Sequence, residues 1–196
     1  MELRGIDELM DLLHACRGVR GTPDGLPRSG PAAGRTGTAG AREGAADDPH
    51  EHALRTAALL RRDRPGDKEL QVAGLVHGIG PLLAPAAGHA RRPGPAARTA
   101  PPAARTAADT TACTAADAAA DAIRPLLGER VARLVRLHAA PRGGLDGLGP
   151  LADDALTLRQ AHEAAGLAGL NAGVMEDWRT LLELVAARHA RLGAVD

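Results

Sequence analysis

The sequence of 196 residues has almost no aromatic side chains: it contains no phenylalanine, no tyrosine and a single tryptophan, Trp178. A core without large rings has to be built from leucine, valine, isoleucine and alanine, which bury less apolar area per residue. The shortage also removes the stacking platforms on which proteins bind single-stranded nucleic acid. Because the formal net charge is zero as well, we expect neither nucleic acid nor a membrane surface as a partner.

Cysteine is scarce too, and its two copies, Cys16 and Cys113, are too far apart to form a metal-binding or redox motif. Such usage is typical of a reducing compartment. No stretch approaches the roughly 20 apolar residues of a membrane-spanning helix, and residues 1–5 lack the apolar run of a secretory signal. From these observations we expect a cytoplasmic protein.

What the chain does have is helical periodicity. Apolar side chains recur at intervals of three and four, and the period-two alternation that would indicate a strand is not seen. The pattern predicts an all-α fold of about five to seven helices. The predicted helices cover about 6–17, 48–62, 67–78, 114–127, 128–138, 152–167 and 174–192.

Two segments, 21–46 and 85–102, break this pattern. They consist mainly of glycine, proline, alanine, arginine and threonine, with almost no large apolar side chain. Such composition is typical of low-complexity loops or insertions. The length of the chain then indicates one helical domain, 1–196, that carries both segments.

Three histidines are candidates for chemistry because of where they fall on the predicted helices. His77 and His138 each continue an apolar stripe at helical spacing, so both side chains are expected to point inward. His52 lies in the first turn of the helix for which Asp48 and Pro49 are the predicted start. A single inward histidine is more often a core residue bonded to a backbone carbonyl. Three on separate helices favour a metal site.

The other histidines give weaker signals. His162 and His189 lie on polar-rich late helices, and we predict that both are surface residues. His50 lies two residues before His52, hence on a different face of the helix, and is predicted to be solvated.

The segments around the three candidate histidines resemble the HD-domain superfamily of metalloproteins. The resemblance is carried by EHALRTA at 51–57, GLVHGIGPLL at 74–83 and IRPLLGERVARLVRLH at 123–138. Within the superfamily the chain is similar to the branch of myo-inositol oxygenase-like and organophosphonate-cleaving di-iron oxygenases, which residues 5–9 and 156–160 also resemble. The resemblance implies an HD-domain helical bundle that binds iron.

The resemblance also implies a ligand set. It assigns His52 and His77 to a first iron and His138 to a second, but the aspartate that should bridge the two ions is Gly78, and a further histidine corresponds to the region 115–116. Without a bridging carboxylate, two cations cannot be neutralised close together. We therefore expect one metal ion, iron or else zinc or manganese, rather than a di-iron centre.

Three functional interpretations remain open at this point, and with them the question of whether the protein is an enzyme. The first is a divergent, oxygenase-like protein that binds one metal through His52, His77 and His138 and a small anionic ligand through Arg142. The second is a non-catalytic pseudoenzyme that uses the same scaffold to bind a small molecule or a partner protein. The third and weakest is an HD-type metal-dependent phosphohydrolase. The resemblance implies that this activity needs the same aspartate, so the glycine at position 78 disfavours it as much as it disfavours a di-iron centre.

Overall fold

The computed structural model describes residues 3–17, 48–83, 102–140, 142–145, 147–166 and 171–193, with only the backbone described at 102–111, 142 and 143. The segment 21–46 and nearly all of 85–102 lie outside the described residues. Their interpretation as low-complexity insertions therefore stays a prediction.

Regular structure in the described ranges is helical throughout, which confirms the all-α prediction. It comprises seven α-helices of nine residues or more and one single-turn helix. They are α1 (Ile6–Ala15), α2 (Pro49–Asp63), α3 (Lys68–Val76), α4 (Gly80–Leu83), α5 (Pro102–Leu127), α6 (Glu129–Ala139), α7 (Pro150–Ala165) and α8 (Arg179–Gly193). Short 3-10 turns occupy His77–Ile79, Arg142–Leu145 and Met175–Trp178. None of the described helices combines the length and the apolar character needed to cross a membrane.

Helices α2 and α3 begin at the caps that the sequence predicts. The side chain of Asp48 accepts a hydrogen bond from the backbone N–H of His50 at 3.0 Å, and Pro49 occupies the first helical position. Asp67 accepts one from the N–H of Leu70, also at 3.0 Å. These caps place His52 one turn into α2, and they start α3 so that it ends just before the histidine at position 77.

Helix α5 is longer than the sequence pattern predicts, because it begins at Pro102 rather than near Thr114. Residues 103–113 are rich in alanine and contain no large apolar side chain. A periodicity criterion has nothing to detect there, although alanine has the highest intrinsic helix propensity. Propensity, rather than an apolar stripe, accounts for the first turns of α5.

The core is aliphatic and encloses the single tryptophan. The side chain of Trp178 is 2 % exposed and belongs to the same buried cluster as Leu182 and Val185, as the spacing of these residues predicts. The other large side chains that are fully buried come from nearly every long helix: Leu9, Leu13, Leu60, Leu70, Leu75, Ile79, Ile123, Leu127, Leu134, Leu158 and Met175. Together they form one contiguous core for the described part of the chain.

Arg130 on α6 joins three helices through one guanidinium group. Its Nη1 donates to Oδ1 of Asp67 at 2.8 Å and to Oε2 of Glu69 at 2.9 Å, while its Nη2 donates to Oδ2 of Asp67 at 2.6 Å and to Oδ2 of Asp154 at 2.9 Å. The hydrogen bond from Arg130 is the main reason that the pKa of Asp67 lies below its ordinary value. Because Asp67 begins α3 and Asp154 lies on α7, this ion-pair cluster links α3, α6 and α7.

Candidate metal centre

Four histidines from four helices meet on one side of the core. His52 comes from α2, His77 from the end of α3, His138 from α6 and His162 from α7. The ring centroid of His162 lies 4.4 Å from that of His52, 5.0 Å from that of His77 and 4.7 Å from that of His138. The rings meet edge to face, and His162 therefore lies at the centre of a four-histidine cluster.

Three ring nitrogens of the cluster lie within reach of a single ion. Nδ1 of His162 is 2.8 Å from Nε2 of His52 and 3.0 Å from Nε2 of His77. One ring nitrogen from each of the three histidines lies within 4.8 Å of the other two, which makes this trio a group that could hold a metal ion. Zinc–nitrogen bonds of about 2.0–2.1 Å in tetrahedral geometry require nitrogens about 3.3 Å apart. The two distances from Nδ1 of His162 lie within about 0.5 Å of this spacing.

The protein backbone fixes the orientation of His77. Its Nδ1 lies 2.8 Å from the carbonyl oxygen of Gly74, and because a carbonyl only accepts, Nδ1 carries the proton and donates it. Nε2 is therefore left with a lone pair, which is directed at Nδ1 of His162. This arrangement is typical of metal-bound histidines, whose second ring nitrogen donates to a carbonyl or carboxylate.

A single proton cannot link Nδ1 of His162 to both of its close neighbours. If Nδ1 of His162 carries a proton, it can donate that proton with good geometry to only one of its two close neighbours. If instead it accepts a proton from Nε2 of His52, its lone pair is used and the lone pair of His77 faces it at 3.0 Å. A metal ion between the rings accepts all three lone pairs at once.

Three histidines of the cluster, His77, His138 and His162, have lowered pKa values that favour the neutral ring. Burial is the largest cause in each case: it lowers the pKa of His77 well below the ordinary value and also lowers the pKa of His162. Burial, with the neighbouring His162 and Arg159, lowers the pKa of His138 to about 4. Since the neutral imidazole is the form that binds metals, these rings offer lone pairs at neutral pH.

His138 lies beside the three-nitrogen group rather than within it. Its ring centroid is 4.9 Å from that of His77, and its Nδ1 is buried with no hydrogen-bond partner among the described residues. The guanidinium of Arg159 holds the backbone, donating to the carbonyls of His138 at 3.0 Å, Leu137 at 2.6 Å and Ala140. These contacts satisfy the last carbonyls of α6 and place the imidazole of His138 next to the other three.

Two of the weaker sequence predictions are wrong. His162, predicted to be a surface residue, is half-buried at the centre of the cluster. A signal for it exists in the sequence: His162 follows Leu158 by four residues, on the buried face of α7. His50, predicted to be solvated, is 2 % exposed, and its ring stacks on that of His14 near the end of α1.

The structure places the residues predicted as ligands in different positions relative to the three-nitrogen group. His52 and His77 belong to the three-nitrogen group, whereas His138 adjoins it and His162 takes the third place. Arg142 begins the 3-10 turn that follows α6, but its side chain lies outside the described part of the chain. Its predicted contact with an anionic ligand stays a prediction.

A pocket of about 500 Å³ opens beside the cluster. Its described lining contains neither an acidic nor a basic side chain apart from the histidines. A Cβ on Gly78 would meet nothing within 4 Å, so a side chain there has room. The lining consists of the four histidines with Pro49, Gly78, Gly80, Pro81, Ala112, Ala115, Ala116 and Ala139.

The residues of this site do not fit a di-iron centre. Two ions need a carboxylate between them, and no aspartate or glutamate is among the described lining of the pocket. A single ion fits the donor set, since three neutral imidazoles with an open position are an established zinc arrangement.

Comparisons of the chain with models of protein families, with curated proteins and with solved structures found no match. The HD-domain resemblance accordingly rests on the residues quoted above, and the function has to be argued from the site itself.

Proposed function

We propose that the protein binds a single divalent transition-metal ion through His52, His77 and His162 and presents it to small molecules that enter the adjoining pocket. The convergence of two Nε2 atoms on Nδ1 of His162, at 2.8 and 3.0 Å, carries this proposal. The ligands come from helices whose relative positions the core already fixes, as in other helical bundles with metal sites. The imidazole of His138 adjoins these three ligands and is not one of them.

The donor set favours some metals over others. Imidazole nitrogens suit zinc, iron, copper and nickel, whereas magnesium, calcium and manganese prefer oxygen ligands. Iron and zinc are therefore better candidates than manganese. Because imidazoles are neutral, the protein leaves the charge of the ion uncompensated, which favours an anionic ligand at the open position. When bound, such an ion acts as a Lewis acid toward a ligand or a water molecule.

We further propose that the scaffold is a divergent HD domain of the oxygenase branch. Support comes from the positions to which the resemblance assigns ligands. These positions fall in four separate stretches of the sequence, yet all of them line one pocket: His52, His77 with Gly78, the pair 115–116 and His138. A coincidental match in sequence would not be expected to bring these positions together.

A non-catalytic scaffold is the alternative, and one observation favours it. The bond from His77 to the carbonyl of Gly74 is also the bond of an ordinary buried histidine. In that case one proton is shared among the rings of His52, His77 and His162, and the pocket binds its ligand or partner without a metal.

Protein purified without an affinity tag is expected to contain close to one iron or zinc ion per chain by plasma mass spectrometry. Returning the ion to metal-free protein should raise the melting temperature, because a ligand of the folded state at 100 times its Kd stabilises by about 2.7 kcal/mol. Close to two ions per chain would contradict a single-ion site. If the protein contains no metal, even after anaerobic reconstitution with iron, the metal-site proposal is wrong and the non-catalytic scaffold is the remaining interpretation.

The variant Gly78→Asp is expected to bind the metal ion at least about tenfold more tightly, since groups around a metal site commonly change affinity by about 10–100-fold. The pocket has space for the side chain, and the backbone of Gly78 does not have a positive φ. Gly78→Asn is the matched control, because it has the same size and no charge. Equal affinities for both variants would show that position 78 does not correspond to a ligand.

A further inference from the structure

The wall of the pocket limits the kind of molecule that it can bind. Beyond the imidazoles, the described wall consists of prolyl rings, alanine methyl groups and two glycines. A hydroxyl group pressed against such a wall loses its hydrogen bonds to water and gains none in return. Binding of a polyol against this wall is therefore unfavourable, whereas binding of an alkyl chain is favourable because its apolar surface is removed from water.

The charge at the histidine end of the pocket limits the head group. This step rests on the proposed function, because the charge is that of the ion bound by His52, His77 and His162. The guanidinium of Arg159 adds a positive charge nearby, since it donates to the backbone carbonyl of His138 at 3.0 Å. A carboxylate binds an ion through one oxygen or both, whereas a phosphate also needs donors for the oxygens that the ion does not reach.

We propose that the pocket binds short aliphatic carboxylates, with the carboxylate on the metal ion and the alkyl chain along the wall formed by Pro49, Pro81 and the alanines of α5. The volume of about 500 Å³ lies within the range of small-molecule sites. It leaves room for a chain of several methylene groups beyond the head group.

The test uses the whole protein loaded with Co²⁺, whose visible absorption changes when a ligand binds to the ion. Acetate, butyrate and hexanoate are titrated, with hexanol and inorganic phosphate as comparisons. The affinity for carboxylates is expected to rise about fourfold for each added methylene group. Equal affinity along the series, or tighter binding of phosphate than of hexanoate, would overturn the proposal while leaving the metal site intact. Failure to bind Co²⁺ at all would overturn the metal site and this proposal together.

A pair of variants at Ala112 tests the wall separately from the ion. Ala112 is exposed on α5 and lines the pocket, so a larger side chain can be accommodated there. Leucine and asparagine are similar in size and differ in polarity. Ala112→Leu should keep or steepen the dependence on chain length, whereas Ala112→Asn should flatten it, and the carboxylate-free cobalt spectrum should be the same in both. Equal dependence in the two variants would contradict the proposed position of the alkyl chain.

Discussion

Replacing His162 by alanine is expected to abolish metal binding, with a loss of affinity of at least about a hundredfold. Nδ1 of His162 is the atom that both His52 and His77 approach, at 2.8 and 3.0 Å. Without it two ligands, from different helices, remain in the three-nitrogen group. Competition with a chelator of known affinity, together with metal content after dialysis, measures the loss.

His189→Ala is the matched control for this experiment. His162 and His189 lie on consecutive long helices and give the same sequence signal, but the ring of His189 lies against Gly128, away from the cluster. Its removal should leave metal binding unchanged, and circular dichroism should show equal helix content in both variants. If His162→Ala binds metal normally while His138→Ala does not, the ligand set is His52, His77 and His138, and the three-nitrogen group is not the site.

The elements of the fold could be predicted because local signals define most of them. The caps at Asp48 and Asp67 and the apolar stripes of α3 and α6 mark where helices begin and which face is buried. The start of α5 could not be found in this way, because alanine forms helix without marking a buried face. Local patterns specify single helices, and the arrangement of the helices requires the packed core.

For the candidate site, too, local patterns identify single inward-facing histidines but not which of them meet. His77 and His138 follow leucine and valine at helical spacing, which identifies them as inward. On α7 the buried face is marked mainly by Ala155, Leu158 and Ala161, and small side chains give a weak stripe beside the polar neighbours of His162. Nor does any pattern show that His162 meets His52, 110 residues earlier in the chain.

The second large effect is expected at Arg130, where Arg130→Met should lower the free energy of unfolding by about 2–3 kcal/mol. The substitution leaves Asp67, Glu69 and Asp154 as neighbouring uncompensated carboxylates. Breaking a fully buried ion pair costs about 3–5 kcal/mol. We expect only about 2–3 kcal/mol here because the Arg130 side chain is 34 % exposed and solvent screens its charge. Urea unfolding followed by circular dichroism measures the difference. Arg133→Met, on the exposed face of the same helix, should change it by less than about 0.5 kcal/mol.

The loss at Arg130 should depend on pH in a defined direction. Because the pKa of Asp67 is lowered in the folded protein, the unfolded chain takes up the proton first as the pH falls. The stabilisation is therefore complete above the unfolded-state pKa of about 3.9 and is lost as the pH falls through the lower folded value. The stabilities of Arg130→Met and the native protein should converge in that acidic range, and a difference that stays constant would contradict the ion-pair explanation.

The same variant connects the ion-pair cluster to the metal centre. Arg130 joins α3, α6 and α7. His77 directly follows α3, His138 lies on α6 and His162 lies on α7. If the ion pairs hold these helices in the arrangement that brings the imidazoles together, metal affinity should fall several-fold in Arg130→Met even where the protein remains folded. Unchanged affinity in the folded variant would show that the core alone positions the histidines, and that Arg130 contributes to stability but not to the site.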